Sequence, residues 1–226
     1  MRVEPDWDAY LRQFEQNYET LNYSKNLSSR VLAHSHHVLE AMLSPKLHFP
    51  RVVEVGAGSG IHFASVRHGF DRYLMTDGNP HMLEQARRKT GADHRFDFQR
   101  EDASRLSFPD DAFDRLIAAH VLEHLLNPHE VLREWARVVK PSGIVSLVLP
   151  SDPGFLWRFG RRLGVRRRAE AAGMEYDYWM AREHVNSIWN LVTLIHYYFD
   201  EVEERWWPCR LPAPDVNLIY AANIRV

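Results

Sequence analysis

Between residues 51 and 149 short apolar runs alternate with segments of helical spacing, and this alternation limits the fold more than any other feature of the chain. The pattern predicts strands over residues 51–55, 73–76, 95–100, 114–119 and 144–149. Between them it predicts helices over residues 61–68, from Pro80 to about Gly91, and over 130–139, with a turn at Pro141-Ser142-Gly143. Strands that are apolar on both faces need a sheet covered by helices on both sides. Right-handed crossovers then give an α/β, doubly wound sheet with its ligand crevice at the carboxyl ends of the strands. Residues 150–180 break the rhythm and read as an insertion. A helix over 183–198 and closing strands over 202–207 and 218–226 follow, the last two separated by Pro208, Pro212 and Pro214. On the N-terminal side residues 6–18 and 27–43 have helical spacing, and Pro45 and Pro50 close a helical cap over residues 1–45. At 226 residues, the whole reads as one domain with a cap and an insertion.

The first predicted strand runs into Glu54-Val55-Gly56-Ala57-Gly58-Ser59-Gly60. Glycines at such a turn let backbone approach a ligand with no Cβ in the way. The dinucleotide fingerprint G-x-G-x-x-G requires a third glycine at position 61, where this chain has Ile61, so the rule for pyrophosphate is not met. Glu54 would repel a diphosphate and attract a cation. Asp77-Gly78 ends the second strand, where a carboxylate can hold a ribose, and Glu101-Asp102-Ala103 follows the third, where a carboxylate suits an adenine amino group. Each acid alone reads as an ordinary turn residue; three at successive strand ends point to a cationic nucleoside ligand.

Net charge is −2, which supplies no overall field for nucleic acid or an anionic membrane. A single cysteine, Cys209, forms no intrachain disulfide, and the first residues are polar with no apolar signal core, so a cytoplasmic location is expected. His34 and His37 share a helical spacing but have no acidic or thiol partner at metal-site spacing, and no metal is expected.

The stretches Phe113-Asp114-Arg115-Leu116-Ile117, Val121-Leu122-Glu123-His124-Leu125 and Leu132 through Gly143 resemble the class I S-adenosylmethionine-dependent methyltransferases, most of all the bacterial group related to ubiquinone biosynthesis. The resemblance is good over residues 50–150 and loose over the last 45 or so. It implies a seven-stranded, mostly parallel sheet of order 3-2-1-4-5-7-6 with the seventh strand antiparallel. It implies S-adenosylmethionine as cofactor, with Gly56 and Gly58 beneath its methionine part, Glu54 near the ammonium, and Ala57 and Gly60 among the residues that bind it. Asp77 would hold the ribose, with Gly78 beside it among the cofactor-binding residues; Asp102 and Ala103 would border the adenine, and His120 the methionine and methyl end. Ser142 stands where the family usually has glycine.

Methyl transfer asks the protein chiefly for alignment and exclusion of water, with a base for a hydroxyl or ammonium acceptor. His120 and His184 are the expected catalytic residues; His124 reads as structural. Residues 18–30, with Tyr23, Ser24, Lys25 and Arg30, could fold over the cofactor or serve as plain helix entry. Residues 151–183 are expected to cover the acceptor site. Six arginines lie between Arg158 and Arg168. They fit a solvated face, an anionic small-molecule acceptor (a phosphorylated sugar, a lipid headgroup or a metabolite), or a membrane surface. Nucleic acid fits less well with the balanced charge. Two rival readings remain open at this point: an NAD(P)-dependent oxidoreductase on a similar sheet, and a non-catalytic S-adenosylmethionine-binding protein.

Overall fold

The computed structural model describes residue 6, residues 27–171 and residues 173–226. The helix expected over residues 6–18 and the segment with Tyr23, Ser24 and Lys25 lie outside the described residues.

Seven strands form one sheet: β1 His48–Val55, β2 Gly69–Asp77, β3 Phe96–Arg100, β4 Phe113–Ala119, β5 Val139–Pro150, β6 Val202–Trp207 and β7 Ile219–Arg225. Their order is β3-β2-β1-β4-β5-β7-β6, as the resemblance implied. Pairings among the first five strands are parallel, and β7 runs antiparallel to both β5 and β6. The helices are α1 Leu27–Glu40, α2 Pro80–Thr90, α3 Pro128–Val138, α4 Phe155–Leu163, α5 Val165–Ala171, α6 Tyr176–Glu183 and α7 Ile188–Tyr198. One face of the sheet buries Leu116, Leu147 and Tyr220 against Trp135 of α3 and Leu191 of α7; the other buries Val52, Tyr73 and Ile117 against Leu39 of α1.

Four expectations are corrected. The helix over residues 61–68 is a single 3-10 turn, His62–Ser65. β2 starts at Gly69, four residues before the expected strand, so the chain leaving Gly60 has no length for a helix. The space is taken by α1, which packs on that turn. Pro50 does not close the helical cap but lies inside β1. The turn at residues 141–143 is a bulge within β5, where the register on β4 shifts and Ser142 takes φ +67°. Gly143 is needed there, because a Cβ would stand 2.5 Å from Val139 Cγ1 and 2.8 Å from the Lys140 carbonyl oxygen. The helix over 183–198 starts only at Ile188, where the Ser187 hydroxyl accepts the Asn190 N–H and caps it; residues 176–183 form α6 instead.

A polar network sits in the core between α1 and the sheet. Arg115, 0% exposed, donates to both oxygens of Glu40 at 2.7 and 3.2 Å and to Ser146 Oγ at 2.9 Å. His62 Nε2 lies 3.0 Å from Glu40 Oε1, and its Nδ1 lies 2.9 Å from His36 Nδ1. A carboxylate only accepts, so His62 Nε2 is the donor to Glu40. Burial, then the neighbouring charges of His62 and His120, holds His36 well below the usual imidazole range and keeps it neutral.

Candidate active site

The carboxyl ends of β1, β2 and β3 lie side by side, with Glu54 paired to Met75 and Asp77 to Arg100 in the sheet register. Gly56, Gly58 and Gly60 take φ of +66°, +53° and +75°, the left-handed region that favours glycine. At Gly56 a Cβ would also meet Val121 Cγ2 at 2.5 Å. The turn is locked from two sides: the Ala57 N–H donates to the Thr76 carbonyl at 2.9 Å, and the Gly58 N–H donates to Asp77 Oδ2 at 2.9 Å. Asp77 Oδ1 accepts the Asn79 N–H at 2.8 Å. Asp77 thus ties the glycine turn to the start of α2, each of its oxygens keeping a lone pair for a ligand hydroxyl. Burial raises its carboxyl pKa, against the lowering effect of the Asn79 and Gly58 N–H groups.

The other predicted ligand groups sit differently. Glu54, 2% exposed, lies beneath the turn on the α1 side and accepts the Tyr73 hydroxyl at 2.7 Å. Burial pushes its carboxyl up, outweighing the opposing charge of His62 and the Tyr73 bond. Asp102 is exposed and turned onto its own loop, accepting the Ser104 N–H at 2.8 Å and the Ser104 hydroxyl at 2.6 Å, which lower its carboxyl pKa. Ala103 is fixed by its carbonyl, which accepts Trp135 Nε1–H at 2.8 Å. Gly78 has an ordinary φ; its carbonyl accepts Arg100 Nε–H at 3.0 Å.

His120 closes β4 with φ +59°, a strained value for a residue with a side chain. Its backbone N–H is held by the Val148 carbonyl at 2.9 Å. Its Nε2 lies 2.9 Å from Ser35 Oγ, whose single proton points to the Leu32 carbonyl at 2.6 Å. The hydroxyl therefore accepts from His120 Nε2–H, leaving Nδ1, 3.7 Å from Glu123 Oε1, as the nitrogen able to take a proton. Glu123 is buried; burial raises its carboxyl pKa, but contacts with His120, His124 and His184 outweigh this and hold it low.

His184 donates from Nδ1 to Asp152 Oδ2 at 2.9 Å, and Arg161 donates to the same oxygen at 2.9 Å. Its ring meets that of His124 edge-on, with centroids 4.9 Å apart, while His124 Nδ1 is anchored on the Glu183 carbonyl at 3.0 Å. A chain of polar side chains thus joins His120, Glu123, His124, His184, Asp152 and Arg161. Sequence reasoning missed Ser35, Glu123 as the link, and Asp152. The Asp152 signal was its place two residues past the end of β5, the edge of the sheet that carries the other site residues. On α6, Trp179 packs on Ala169 and Met174, and Tyr176 OH accepts Arg161 Nε–H at 3.0 Å.

Residues 53–147 match the family described as a methyltransferase domain. The chain is 36% identical over 110 residues to the 2-methyl-6-phytyl-1,4-hydroquinone methyltransferase 1 of Oryza sativa subsp. japonica, covering 48% of this chain and 33% of that protein. It is 32% identical over 103 residues to the demethylmenaquinone methyltransferase of Clavibacter sepedonicus (46% and 42%). To the phosphatidylethanolamine N-methyltransferase of Cereibacter sphaeroides it is 34% identical over 103 residues (43% and 49%). The matched segment therefore spans half or less of each relative. Among solved structures, the N-methyltransferase NodS of Bradyrhizobium japonicum with S-adenosylhomocysteine superposes with a TM-score of 0.67 at 16% identity, covering 96% of both chains. The [4+2]-cyclase SpnF superposes with 0.62 at 16% identity, over 100% of this chain and 97% of that one. The sheet order and the glycine turn agree with the match of residues 53–147 to a methyltransferase domain, and the core of this chain is similar to the class I S-adenosylmethionine-dependent methyltransferases.

Proposed function

We propose that the protein transfers the methyl group of S-adenosylmethionine to a small anionic acceptor, such as a phosphorylated sugar, a lipid headgroup or an anionic metabolite. The observation that carries this reading is the glycine turn at the end of β1, locked by Asp77 in left-handed conformation within the matched domain. S-adenosylmethionine supplies a carbon bound to a positively charged sulfur: the acceptor's lone pair forms the new bond to carbon, the carbon–sulfur bond breaks, and the thioether leaves neutral. The turn's backbone and Asp77 would hold the donor, with Asp102 and Ala103 flanking its base and Glu54 supporting the turn from beneath.

For a hydroxyl or ammonium acceptor, His184 is the better-oriented base. Asp152 fixes its Nδ1–H, leaving Nε2 to receive the acceptor's proton and a carboxylate to stabilise the imidazolium. His120, through Nδ1 beside Glu123, is the alternative, and its position on β4 suits the methyl end. Anionic acceptor chemistry is supported by Arg168 on α5, whose Nε and Nη2 are buried with no hydrogen-bond partner among the described residues. Relatives named for a demethylmenaquinone and for phosphatidylethanolamine make lipid-type acceptors the first to try.

The likeness to SpnF favours one second reading, a fold that keeps the cofactor site and does other chemistry. Transfer of label from methyl-tritiated S-adenosylmethionine to a panel of quinols, phospholipids and sugar phosphates separates the two. The expected result is label on an anionic acceptor, lost in His184→Gln. Tight binding of S-adenosylhomocysteine with no acceptor labelled across the panel favours the second reading.

A further inference from the structure

Among the described residues, the outer face of α4 is an apolar stripe with no cover. Phe155, Phe159 and Leu163 follow one another at four-residue steps and are 62%, 49% and 51% exposed. The rings of Phe155 and Phe159 stack at 6.0 Å with 13° between their planes. Apolar side chains of this size seldom line up along one exposed helical face without a partner.

Charge beside the stripe narrows what the partner is. At about 100° per residue, Arg158 and Arg162 fall along one flank of the stripe, while Trp157 and Arg161 point to the protein. Arg161 is neutralised by Asp152, and Arg166 by Glu170 and Asp177. Arg158, Arg162 and Arg167 form no ion pair among the described residues, so their charge faces outward unbalanced. A helix that shows bulky apolar groups flanked by guanidinium groups suits the boundary of a bilayer, where the rings enter the acyl region and the arginines reach anionic headgroups.

The position of the helix agrees. α4 begins five residues after β5 ends, at the same sheet edge as the glycine turn. Its start is pressed onto the 3-10 turn Pro214–Val216: Phe155 N–H donates to Asp215 Oδ1 at 2.8 Å, and a Cβ on Gly154 would lie 2.2 Å from the Pro214 carbonyl oxygen. The helix is therefore fixed to the body of the domain, and that neighbouring turn carries one more exposed apolar residue, Val216.

We propose that α4 docks the protein on anionic membrane surfaces, with Phe155, Phe159 and Leu163 inserted and Arg158 and Arg162 on lipid phosphates. Methyl transfer can be right or wrong without this surface, and S-adenosylhomocysteine affinity reports on that question separately. The test is co-sedimentation of the full chain with vesicles of phosphatidylcholine, or of phosphatidylcholine with one third phosphatidylglycerol. The protein is expected to sediment with the anionic vesicles and to be released by high salt. Phe155→Ser with Phe159→Ser lowers the partition by about tenfold or more, and each of Arg158→Gln and Arg162→Gln by about fivefold. All these positions are exposed, and unchanged affinity for S-adenosylhomocysteine verifies that the variants fold. Absence of binding to anionic vesicles overturns the proposal, as does binding that the double Phe variant retains. A concentration-dependent dimer that disappears in the same variant overturns it too, because a second copy then covers the stripe.

Discussion

Glu40→Gln leaves the buried guanidinium of Arg115 facing a neutral amide. Arginine cannot shed its proton to escape the low dielectric, and breaking a buried pair by removing one partner costs about 3–5 kcal/mol. A second route gives a similar figure. Burial alone would raise the Glu40 carboxyl, but the His62 hydrogen bond and the charge of Arg115 outweigh it and lower the pKa from 4.5 to about 2. At the free energy of one pKa unit, that shift is worth about 3 kcal/mol. For a chain of this size the loss lowers the melting temperature by about 10 °C. The sign with pH follows from the depressed folded value. The contribution is complete above the ordinary carboxylate range and is lost as pH falls from 4.5 toward about 2. Urea unfolding followed by circular dichroism, repeated down to about pH 3, should give a steep acid limb for the wild type and a flatter one for the variant. Stability within about 1 kcal/mol of the wild type at neutral pH refutes the reasoning. Glu40→Met combined with Arg115→Met should restore part of the loss, since neither charge of the pair then remains buried, while His62 Nε2–H loses its acceptor.

Other expectations concern the site. His184→Gln is expected to lower kcat by about 100-fold or more with the KM for S-adenosylmethionine unchanged; Asp152→Ala should do the same more mildly and shift the pH profile, and an unchanged profile contradicts the dyad. Gly56→Ala combines φ +66° with a 2.5 Å approach to Val121 and should abolish cofactor binding, whereas Gly78→Ala, with its nearest neighbour at 3.8 Å, should be tolerated; calorimetry separates the pair. Replacing Arg166, Arg167 and Arg168 together with alanine should leave cofactor affinity intact and raise the KM for an anionic acceptor, and a loss confined to cofactor affinity contradicts that division.

The sheet was legible because its strands are buried on both faces and read as apolar runs, and because the motif around Glu123 and His124 carries the order of the last strands with it. The glycine turn was legible for a similar reason, since few residues but glycine take φ near +60° three times in five positions. What stayed hidden was contact between distant residues. Glu40, His62 and Arg115 look like surface residues when each is read alone, and only the packing of α1 on the sheet and on the 3-10 turn at residues 62–65 turns them into a core network. Helical spacing over residues 27–43 located α1, yet its buried face carries Ser35, His36 and Glu40, where periodicity leads one to expect apolar groups. The missing helix over residues 61–68 has the same origin: α1 occupies its space. Glu54 looked like a ligand for a cationic donor, but its strand position turns it under the turn onto Tyr73, a direction that alternation along β1 sets only once the two faces of the sheet are known.

Calorimetric titration with S-adenosylhomocysteine tests the central claim most directly, with NADH as the competing ligand and Asp77→Ala as the altered protein. Wild-type protein should bind S-adenosylhomocysteine and ignore NADH. The variant, deprived of the carboxylate that holds the Gly58 N–H and would meet the ribose, should bind about 100-fold more weakly. Binding of NADH alone, or equal affinity of the two proteins for S-adenosylhomocysteine, contradicts the assignment of the glycine turn as the methyl-donor site.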